Sequence, residues 1–329
     1  MSTLAPTLQA FFTDRLARQR QASSHTIAAY RDAVKLLLAF AAEQTGKPPS
    51  RLDIADLDAP LIGAFLNQLE TSRGNSARTR NARLAAIHSL FRYAALRHPE
   101  DAAVIARVLA IPPKRFDKAL ITYLTEEEIT ALLAAPDQAT WTGRRDHALL
   151  MLACQTGLRA TELTGLTIGD VHLGTGAHVS CTGKGRKERI TPLTTATTAA
   201  LRGWLAERAG QPAGPLFITR RGGPLSRDAL ERRIAKYAAT AMLSCPTLRE
   251  KKVSPHVLRH SAAMRLLNAG VDTSVIALWM GHENVATTQV YIHADLALKE
   301  RAIARTAPQD TPPGRYQPPD VVLAFLDGL

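Results

Sequence analysis

The sequence has few cysteines and no long apolar run. Its three cysteines, Cys154, Cys181 and Cys245, are widely spaced and odd in number, so they predict neither a disulfide framework nor a zinc site. This usage is typical of the reducing cytoplasm, where we expect the protein to act. No apolar stretch approaches the ~20 residues that span a bilayer, and we expect no membrane partner. The N-terminus lacks the basic and apolar segments of a signal peptide.

Acidic residues are outnumbered, and one stretch lacks them altogether. The chain has 41 Lys and Arg against 29 Asp and Glu, a net charge of +12, which predicts a polyanionic partner. Residues 71–99 contain neither Asp nor Glu, but several arginines lie there between short polar side chains. Such a segment suits contacts with phosphates and base edges, and a solvated basic face is the alternative. The candidate DNA-binding residues are Arg73, Arg78, Arg80, Arg83 and Arg92.

Periodic apolar residues predict a helical bundle in residues 1–110. Ile27, Tyr30 and Val34 recur at helical spacing behind Ser24, which is a candidate helix cap. Similar patterns at residues 8–16, 62–69 and 84–91 bring the expected helices to four, enough for a small bundle that binds DNA. A linker is predicted for residues 111–118, IPPKRFDK, which combine prolines with basic residues.

Residues 119–305 predict a second domain, mainly α with a small antiparallel β-sheet. Thr125 and Glu128 form a capping box, and a helix, a glycine turn and another helix are indicated by HALLMLACQTGLRATEL. Alternating residues predict a β-hairpin in GAHVSCTGKGRKERITPL and a second candidate hairpin in LFITRRGGPLS. The range 306–329 begins as a proline-rich linker and ends in PDVVLAFLDGL, a short helix with an apolar face that must be buried.

The segment MGHENVATTQVYIH contains Tyr291, whose use depends on what the rest of the chain supplies. Phenol has a pKa of about 10, so a tyrosine that attacks a phosphodiester needs a proton acceptor or nearby positive charge. The reaction also needs fixed cations for the phosphate oxygens and a proton donor for the leaving alkoxide. Arg159 follows a glycine turn, and Lys184 lies at the tip of the predicted hairpin. His256 and Arg259 share one helical turn at i, i+3.

Each of these residues has an ordinary alternative when it is taken alone. Arg159 is compatible with a surface position and Lys184 with a solvated turn. His256 is compatible with a helix cap or a place in the core. His256 and His260 also have the spacing of zinc ligands, but HVLRH lacks the glutamate of the HExxH motif, so we expect no metal.

As an ordered set, these residues resemble the tyrosine recombinases, or phage integrases. Similarity to the Xer-like branch is carried by TGLRATEL, TGKGRKERITPL, HVLRHSAA and LWMGHENVATTQVYIH, and the resemblance covers about residues 5–305. It implies a SAM-like helical bundle followed by a catalytic domain that cleaves and rejoins DNA at specific sites, with no cofactor. The catalytic residues that it implies are Arg159, Lys184, His256, Arg259, His282 and Tyr291.

The resemblance also implies a role for each residue. Tyr291 attacks the scissile phosphate, forms a 3′-phosphotyrosyl link and releases a 5′-hydroxyl. Arg159 and Arg259 hold the non-bridging oxygens, and His282 adds a hydrogen bond to the phosphate.

The remaining roles concern protons and support. By the same resemblance, Lys184 protonates the departing 5′ oxygen, and His256 accepts the proton of the nucleophile. Glu162 matches an acidic position that supports the site, and we interpret it as the partner of a salt bridge behind the phosphate-binding arginines.

Two other functions remain open from the sequence. A type IB topoisomerase uses the same chemistry, and a DNA-binding regulator would keep the fold without catalysis, although the intact residue set argues against the regulator. The resemblance implies that the C-terminal helix docks in a neighbouring subunit of a tetramer on double-stranded DNA, and burial against its own domain is the alternative. A second recombinase or an accessory protein is a further candidate partner, and the tail favours an enzyme of a mobile element.

Overall fold

The computed structural model describes residues 4–116, 121–183, 188–281 and 288. The chain divides into two compact units, Met1–Lys118 and Ala119–Leu329. The described part is mainly α-helical with one three-stranded antiparallel sheet, so the predicted fold class is confirmed. Among the helices of this part, none is both long enough and apolar enough to cross a membrane.

The N-terminal unit is a bundle of helices. Its elements are α1 (Leu4–Ala10) with a π-helical continuation (Phe11–Gln19), α2 (Ser24–Thr45), α3 (Ala59–Thr71), α4 (Ala77–Ala94) and α5 (Ala102–Leu109). The four predicted helices are confirmed, whereas α5 was not predicted. The predicted cap of α2 is wrong by one residue, because Ser23 rather than Ser24 accepts the hydrogen bond from the Thr26 backbone N–H. The apolar faces of α2, α3 and α4 meet in a core that includes Leu37, Phe65 and Ile87.

In its described part, the second unit combines seven α-helices with a small three-stranded sheet. Its elements are α6 (Glu126–Ala134), α7 (Trp141–Thr156), α8 (Ala160–Gly165), β1 (Val171–His172), β2 (His178–Thr182), β3 (Glu188–Pro192), α9 (Thr195–Arg208), α10 (Arg227–Ala241), α11 (Pro255–Asn268) and α12 (Thr273–Met280). The first predicted hairpin is confirmed as β2 and β3, and β1 was not predicted. The second predicted hairpin is present as a tight turn that does not extend into strands. Its one antiparallel bridge joins Ile218 and Pro224, with hydrogen bonds from the Thr219 N–H to the Gly223 carbonyl and from the Leu225 N–H to the Phe217 carbonyl on either side.

Helix α7 forms the centre of this unit. Its residues Leu149 and Leu152 pack in the same core as Trp204 of α9 and Ile234 of α10, and all four are almost fully buried. At its start, Thr140 accepts a hydrogen bond from the Gly143 backbone N–H. Because α7 is packed in the core along its length, its C-terminal end has a fixed position. The candidate site begins at that end.

Helices α11 and α12 form a smaller core of their own. Met264 of α11 and Ile276 of α12 are buried in it, and Tyr123 packs against the cluster from the segment before α6. The Leu124 backbone N–H donates to the Ser261 Oγ at 2.8 Å. The first residues of the second unit are thus attached directly to the helix that carries His256 and Arg259.

Candidate active site

Arg159 emerges where the chain turns between α7 and α8. Helix α7 ends at Gly157, whose φ of 63° is left-handed, and a Cβ at this position would lie 2.8 Å from the Met280 Cε. Leu158 is buried, and Arg159 then stands at the N-cap position of α8. A glycine is favoured because L side chains rarely adopt this backbone angle and because a Cβ would displace the buried Met280 side chain.

The Arg159 guanidinium is held from two sides. Its Nη1 donates to the Glu162 Oε1 at 2.9 Å, and its Nη2 donates to the carbonyl oxygen of Gly281 at 3.0 Å. The Glu162 Oε2 also accepts the Arg159 backbone N–H at 2.8 Å, closing the first turn of α8. About a third of the side chain remains exposed, at 33%, so a ligand can still reach the guanidinium.

Arg259 lies on the second turn of α11 and is buried. Ser254 caps this helix by accepting the Val257 backbone N–H at 3.3 Å, and Pro255 occupies the first helical position. The Arg259 Nη1 donates to the carbonyl oxygen of Gly157 at 2.7 Å, and its Nη2 donates to that of Met280 at 2.6 Å. These carbonyls close α7 and α12, where the helix dipole places partial negative charge that favours a cation.

Arg159, His256 and Arg259 line one open cavity of about 550 Å³. His256 is exposed on the first turn of α11, and its ring meets that of His260 edge-to-face, with 4.1 Å between the centroids. The remaining lining side chains and backbone come from Ala160, Thr161, Arg227, Glu231, Ser254 and Pro255. Two guanidinium groups and an imidazole on one concave surface can bind a phosphate and handle a proton beside it.

Glu162 connects Arg159 to a residue that sequence analysis missed. Arg189 of β3 donates from Nη1 to the Glu162 Oε1 at 3.1 Å and from Nη2 to the Glu162 Oε2 at 2.6 Å. Burial would raise the pKa of Glu162, but the hydrogen bonds from Arg189 and from the Arg159 backbone outweigh it and lower the pKa to about 2. The carboxylate is therefore ionised throughout the neutral range.

The strand pattern concealed Arg189. In β3, Arg189 and Thr191 point inward, whereas Ile190 is 67% exposed. Alternation read from the sequence places the apolar residue inward and the arginine in solvent, the reverse of what the strand does. The sequence did contain one indication of Arg189. Glu162 was expected in the site, and a buried carboxylate needs a cationic partner.

Three predicted site residues lie outside the described residues: Lys184, His282 and Tyr291. Along the chain, Lys184 falls between β2 and β3, and His282 directly follows Gly281. The proline-rich tail, 306–329, also lies outside the described residues, as do 117–118 of the predicted linker and 119–120 of the predicted catalytic domain.

The candidate DNA-binding arginines do not form one uniform face. Arg73 is exposed between α3 and α4, whereas the Arg80 Nε lies 3.5 Å from the Glu70 Oε2. Burial lowers the pKa of Arg83, and the charge of Arg73 lowers it further. Arg92 follows Arg83 by nine residues, about two and a half turns at 3.6 residues per turn, so it points to the opposite side of α4.

Arg78, the fifth of these arginines, stacks on an aromatic ring. It is exposed on the first turn of α4, and its Cζ lies 5.7 Å from the centre of the Phe116 ring. This contact orients the guanidinium without neutralising its charge.

Potential metal ligands gather elsewhere. In the part of the chain that the structure describes, His98, Glu100 and Asp101 of the N-terminal unit have ligand atoms within 4.8 Å of one another. The Thr7 side chain and Glu100 already hydrogen-bond to the His98 ring. Partly exposed acidic groups of this kind are common on protein surfaces, so we assign no metal to them.

Comparison with known proteins gives consistent matches over both units. The phage integrase family matches residues 122–297, and the phage integrase N-terminal SAM-like domain matches residues 10–98. The "Putative integrase/recombinase y4rC" of Sinorhizobium fredii is 54% identical over 328 residues, which cover 100% of this chain and 99% of that protein. Tyrosine recombinase XerC of Pelobacter propionicus is 34% identical over 286 residues, covering 87% and 90% of the two chains.

A solved structure shares the fold. The crystal structure of the XerH site-specific recombinase bound to its difH substrate aligns with a TM-score of 0.66 at 23% identity, covering 88% of this chain and 82% of that one. Fold and relatives together define a tyrosine-type site-specific recombinase. The chain belongs to the phage integrase family.

Proposed function

We propose that the cavity lined by Arg159, His256 and Arg259 binds the scissile phosphate of a specific double-stranded DNA site. Tyr291 then attacks that phosphate. The Tyr291 oxygen forms a bond to phosphorus as the bond to the 5′ oxygen breaks, which leaves a 3′-phosphotyrosyl link and a free 5′-hydroxyl. A 5′-hydroxyl from a second strand reverses the step, and the covalent link conserves the bond energy, so the proposal requires no cofactor.

The observation that carries this proposal is the convergence of two anchored guanidinium groups on one cavity. Arg159 is fixed by Glu162 and by the Gly281 carbonyl, and Arg259 by the carbonyls of Gly157 and Met280. Donors fixed before the reaction stabilise charge that develops on the non-bridging oxygens without a cost of reorganisation. Removal of one such donor typically slows an enzyme by about 100- to 1000-fold.

The proton transfers complete the proposed cycle. His256, exposed at the cavity, accepts the proton of the Tyr291 phenol. Lys184 donates a proton to the departing 5′ oxygen, and His282 donates a hydrogen bond to the phosphate. Glu162 acts behind the phosphate, by holding Arg159.

We further propose that the N-terminal unit binds DNA through its arginines. The exposed residues Arg73, Arg78 and Arg92 are the best candidates for phosphate contacts, whereas Arg80 and Arg83 are partly buried. Structures of the XerH recombinase and of the Tn1549 transposon integrase were solved with DNA, which supports DNA as the partner of this chain.

The proposed assembly is a tetramer on paired DNA sites. The apolar face of the C-terminal segment, with Val322, Phe325 and Leu326, docks in a neighbouring subunit and couples the active sites. A second recombinase or an accessory protein is a candidate further component. The integrase/recombinase name of the Sinorhizobium fredii relative supports a mobile-element role, and we propose that the enzyme acts in the cytoplasm.

The test is covalent capture. The full-length protein is incubated with genomic DNA from its source, and the fragments linked to protein are sequenced to give the site. A nicked duplex carrying that site should then form an adduct with the wild type and none with Tyr291→Phe. Absence of any adduct with the wild type would overturn the proposal. Relaxation of supercoiled plasmids that lack the site would instead indicate a type IB topoisomerase.

A further inference from the structure

Arg189 lies at the meeting point of three parts of the candidate site. It comes from β3, binds both oxygens of Glu162, and its side chain is only 11% exposed. Its guanidinium also lies directly against Gly281, where a Cβ would be 2.7 Å from the Arg189 Nη1. Gly281 has a φ of 62° and closes α12, so the absence of a side chain there permits this approach.

These contacts close a ring around Arg159. Glu162 binds Arg159 and Arg189 at once, and the Gly281 carbonyl accepts from Arg159 while the Gly281 backbone rests on Arg189. Both groups that orient Arg159 are therefore held in turn by Arg189. Without it, Arg159 would be the only cation paired with Glu162 among the described residues, so the carboxylate would turn toward it, and the support beneath Gly281 would be lost.

We propose that Arg189 is a positioning residue for strand cleavage, which acts by fixing the Arg159 guanidinium in the orientation that stabilises the charged phosphate. This inference rests on the proposed function, because it assigns Arg159 to the phosphate. In this proposal Arg189 acts through Arg159 and not by contact with the DNA, since its side chain is only 11% exposed. It sets the direction from which Arg159 approaches, and a misplacement of about 1 Å at such a group costs about 100-fold in rate.

Two other roles are compatible with the same contacts. Arg189 belongs to the hairpin that carries Lys184, so it could act on the proton donor instead of on Arg159. It could also serve stability alone, because it neutralises a buried carboxylate. The three roles can be distinguished with modified substrates. For each role, a different chemical change to the DNA should restore the rate of the Arg189 variants, or none should.

The experiment measures the single-turnover rate of adduct formation for the wild type, Arg189→Ala and Arg189→Lys. Three nicked duplexes carry the captured recombination site. One has the natural phosphodiester, one has a methylphosphonate that removes the negative charge at the scissile phosphorus, and one has sulfur in place of the leaving 5′ oxygen. Because the methylphosphonate carries no negative charge, its reaction does not need Arg159 to stabilise charge on the phosphate oxygens. A 5′ thiolate is a good leaving group, so its departure does not need a proton from Lys184.

We expect Arg189→Ala to react about 100-fold more slowly than the wild type on the phosphodiester and on the sulfur-containing duplex. On the methylphosphonate, the difference should fall to about tenfold or less. Arg189→Lys should fall between, since one ammonium cannot bind both Glu162 oxygens and support Gly281 together. If Arg189→Ala shows no cooperative unfolding transition, and is therefore not properly folded, the test rests on Arg189→Lys.

Arg144→Ala is the matched control. Arg144 also binds both oxygens of a glutamate, donating to Glu207 at 2.7 and 2.6 Å, but it lies near the start of α7. The site is at the other end of that helix, about 20 Å away at 1.5 Å per residue. Arg144→Ala should leave the rate on all three duplexes close to that of the wild type.

Three results would overturn the inference. The first is a folded Arg189 variant that reacts at the wild-type rate on the phosphodiester. The second is rescue by the sulfur-containing duplex, which would assign Arg189 to the proton donor. The third is an equal loss on all three duplexes, which would assign it to stability alone. Failure of the wild type to form an adduct would instead count against the proposed function.

Discussion

Arg259 of α11 donates to the carbonyl oxygen of Gly157 at 2.7 Å, so a buried arginine closes the C-terminus of the helix that precedes Arg159. The two candidate phosphate ligands are thus linked through three residues of backbone. A change in the turn at Gly157 must alter both, and this gives the first prediction.

Gly157→Ala should destabilise the protein more than an ordinary change at a left-handed glycine. An alanine at φ 63° costs about 1 kcal/mol, and contact with Met280 adds about 1–3 kcal/mol of overpacking. The control is Gly270→Ala, at φ 81° with open space around it. Denaturant unfolding and adduct formation should both be more impaired in Gly157→Ala, and equal effects of the two changes would contradict the expected clash.

Glu162→Gln should change how stability depends on pH. The pKa of Glu162 is lowered to about 2 from an ordinary value of 4.5, so the carboxylate contributes stability that is complete above pH 4.5. This contribution is lost as the pH falls toward 2. In that range the Glu162 carboxylate takes up a proton more readily in the unfolded chain than in the folded protein, which favours unfolding. The difference in unfolding free energy between wild type and variant should shrink over this range. A difference that stays constant with pH would exclude the ionised pair.

Ser254→Ala should affect both stability and the cavity. The Ser254 hydroxyl caps α11, and loss of a cap costs about 1 kcal/mol, which loosens the turn that carries His256. Ser254→Thr keeps the acceptor and should retain both stability and adduct formation. Ser254→Asp also caps the helix but adds a carboxylate to the cavity, so it should remain stable and react slowly with DNA.

Lys251→Met should destabilise the second unit by about 3 kcal/mol, because it leaves a buried carboxylate without its cation. Lys251 donates to the Glu128 Oε2 at 2.7 Å, and Glu128 is 1% exposed. The double variant Glu128→Gln/Lys251→Met should regain part of this stability. A double-mutant cycle of unfolding free energies measures the coupling, and strictly additive losses would show that the pair does not interact.

Arg73→Ala should reduce the salt dependence of DNA binding. Arg73 is exposed, and each lost phosphate contact lowers the slope of log K against log salt by about 0.9. Arg80→Ala should change the slope less, because Arg80 is already paired with Glu70. Titrations of the mapped site at several salt concentrations give both slopes, and a larger change for Arg80 would reverse the proposed assignment.

Sequence patterns predicted the helices that carry strong local signals. The predicted Thr125–Glu128 capping box is present at the start of α6, since caps depend on residues a few positions apart. Helix α5 was missed because its eight residues, AAVIARVL, are too few to display a clear periodicity.

The structure brings three of the predicted site residues together. Arg159, His256 and Arg259 were predicted from the demands of the chemistry and from a resemblance, and all three line one cavity. The supports of that cavity were not predictable in this way. Backbone carbonyls at Gly157, Met280 and Gly281 carry no side-chain signature, and Arg189 reaches Glu162 from a strand 27 residues away.

The inverted alternation of β3 has a consequence for folding fidelity. Arg189 pairs with Cys181 across the ladder, and the exposed Ile190 pairs with Ser180. A slip of one residue would turn Ile190 toward Glu162 and Arg189 toward water. Hydrophobic burial would favour that slip, and the hydrogen bonds of Arg189 with Glu162 oppose it. Because Glu162 binds Arg159 as well, one carboxylate connects the register of the hairpin to the orientation of a candidate phosphate ligand.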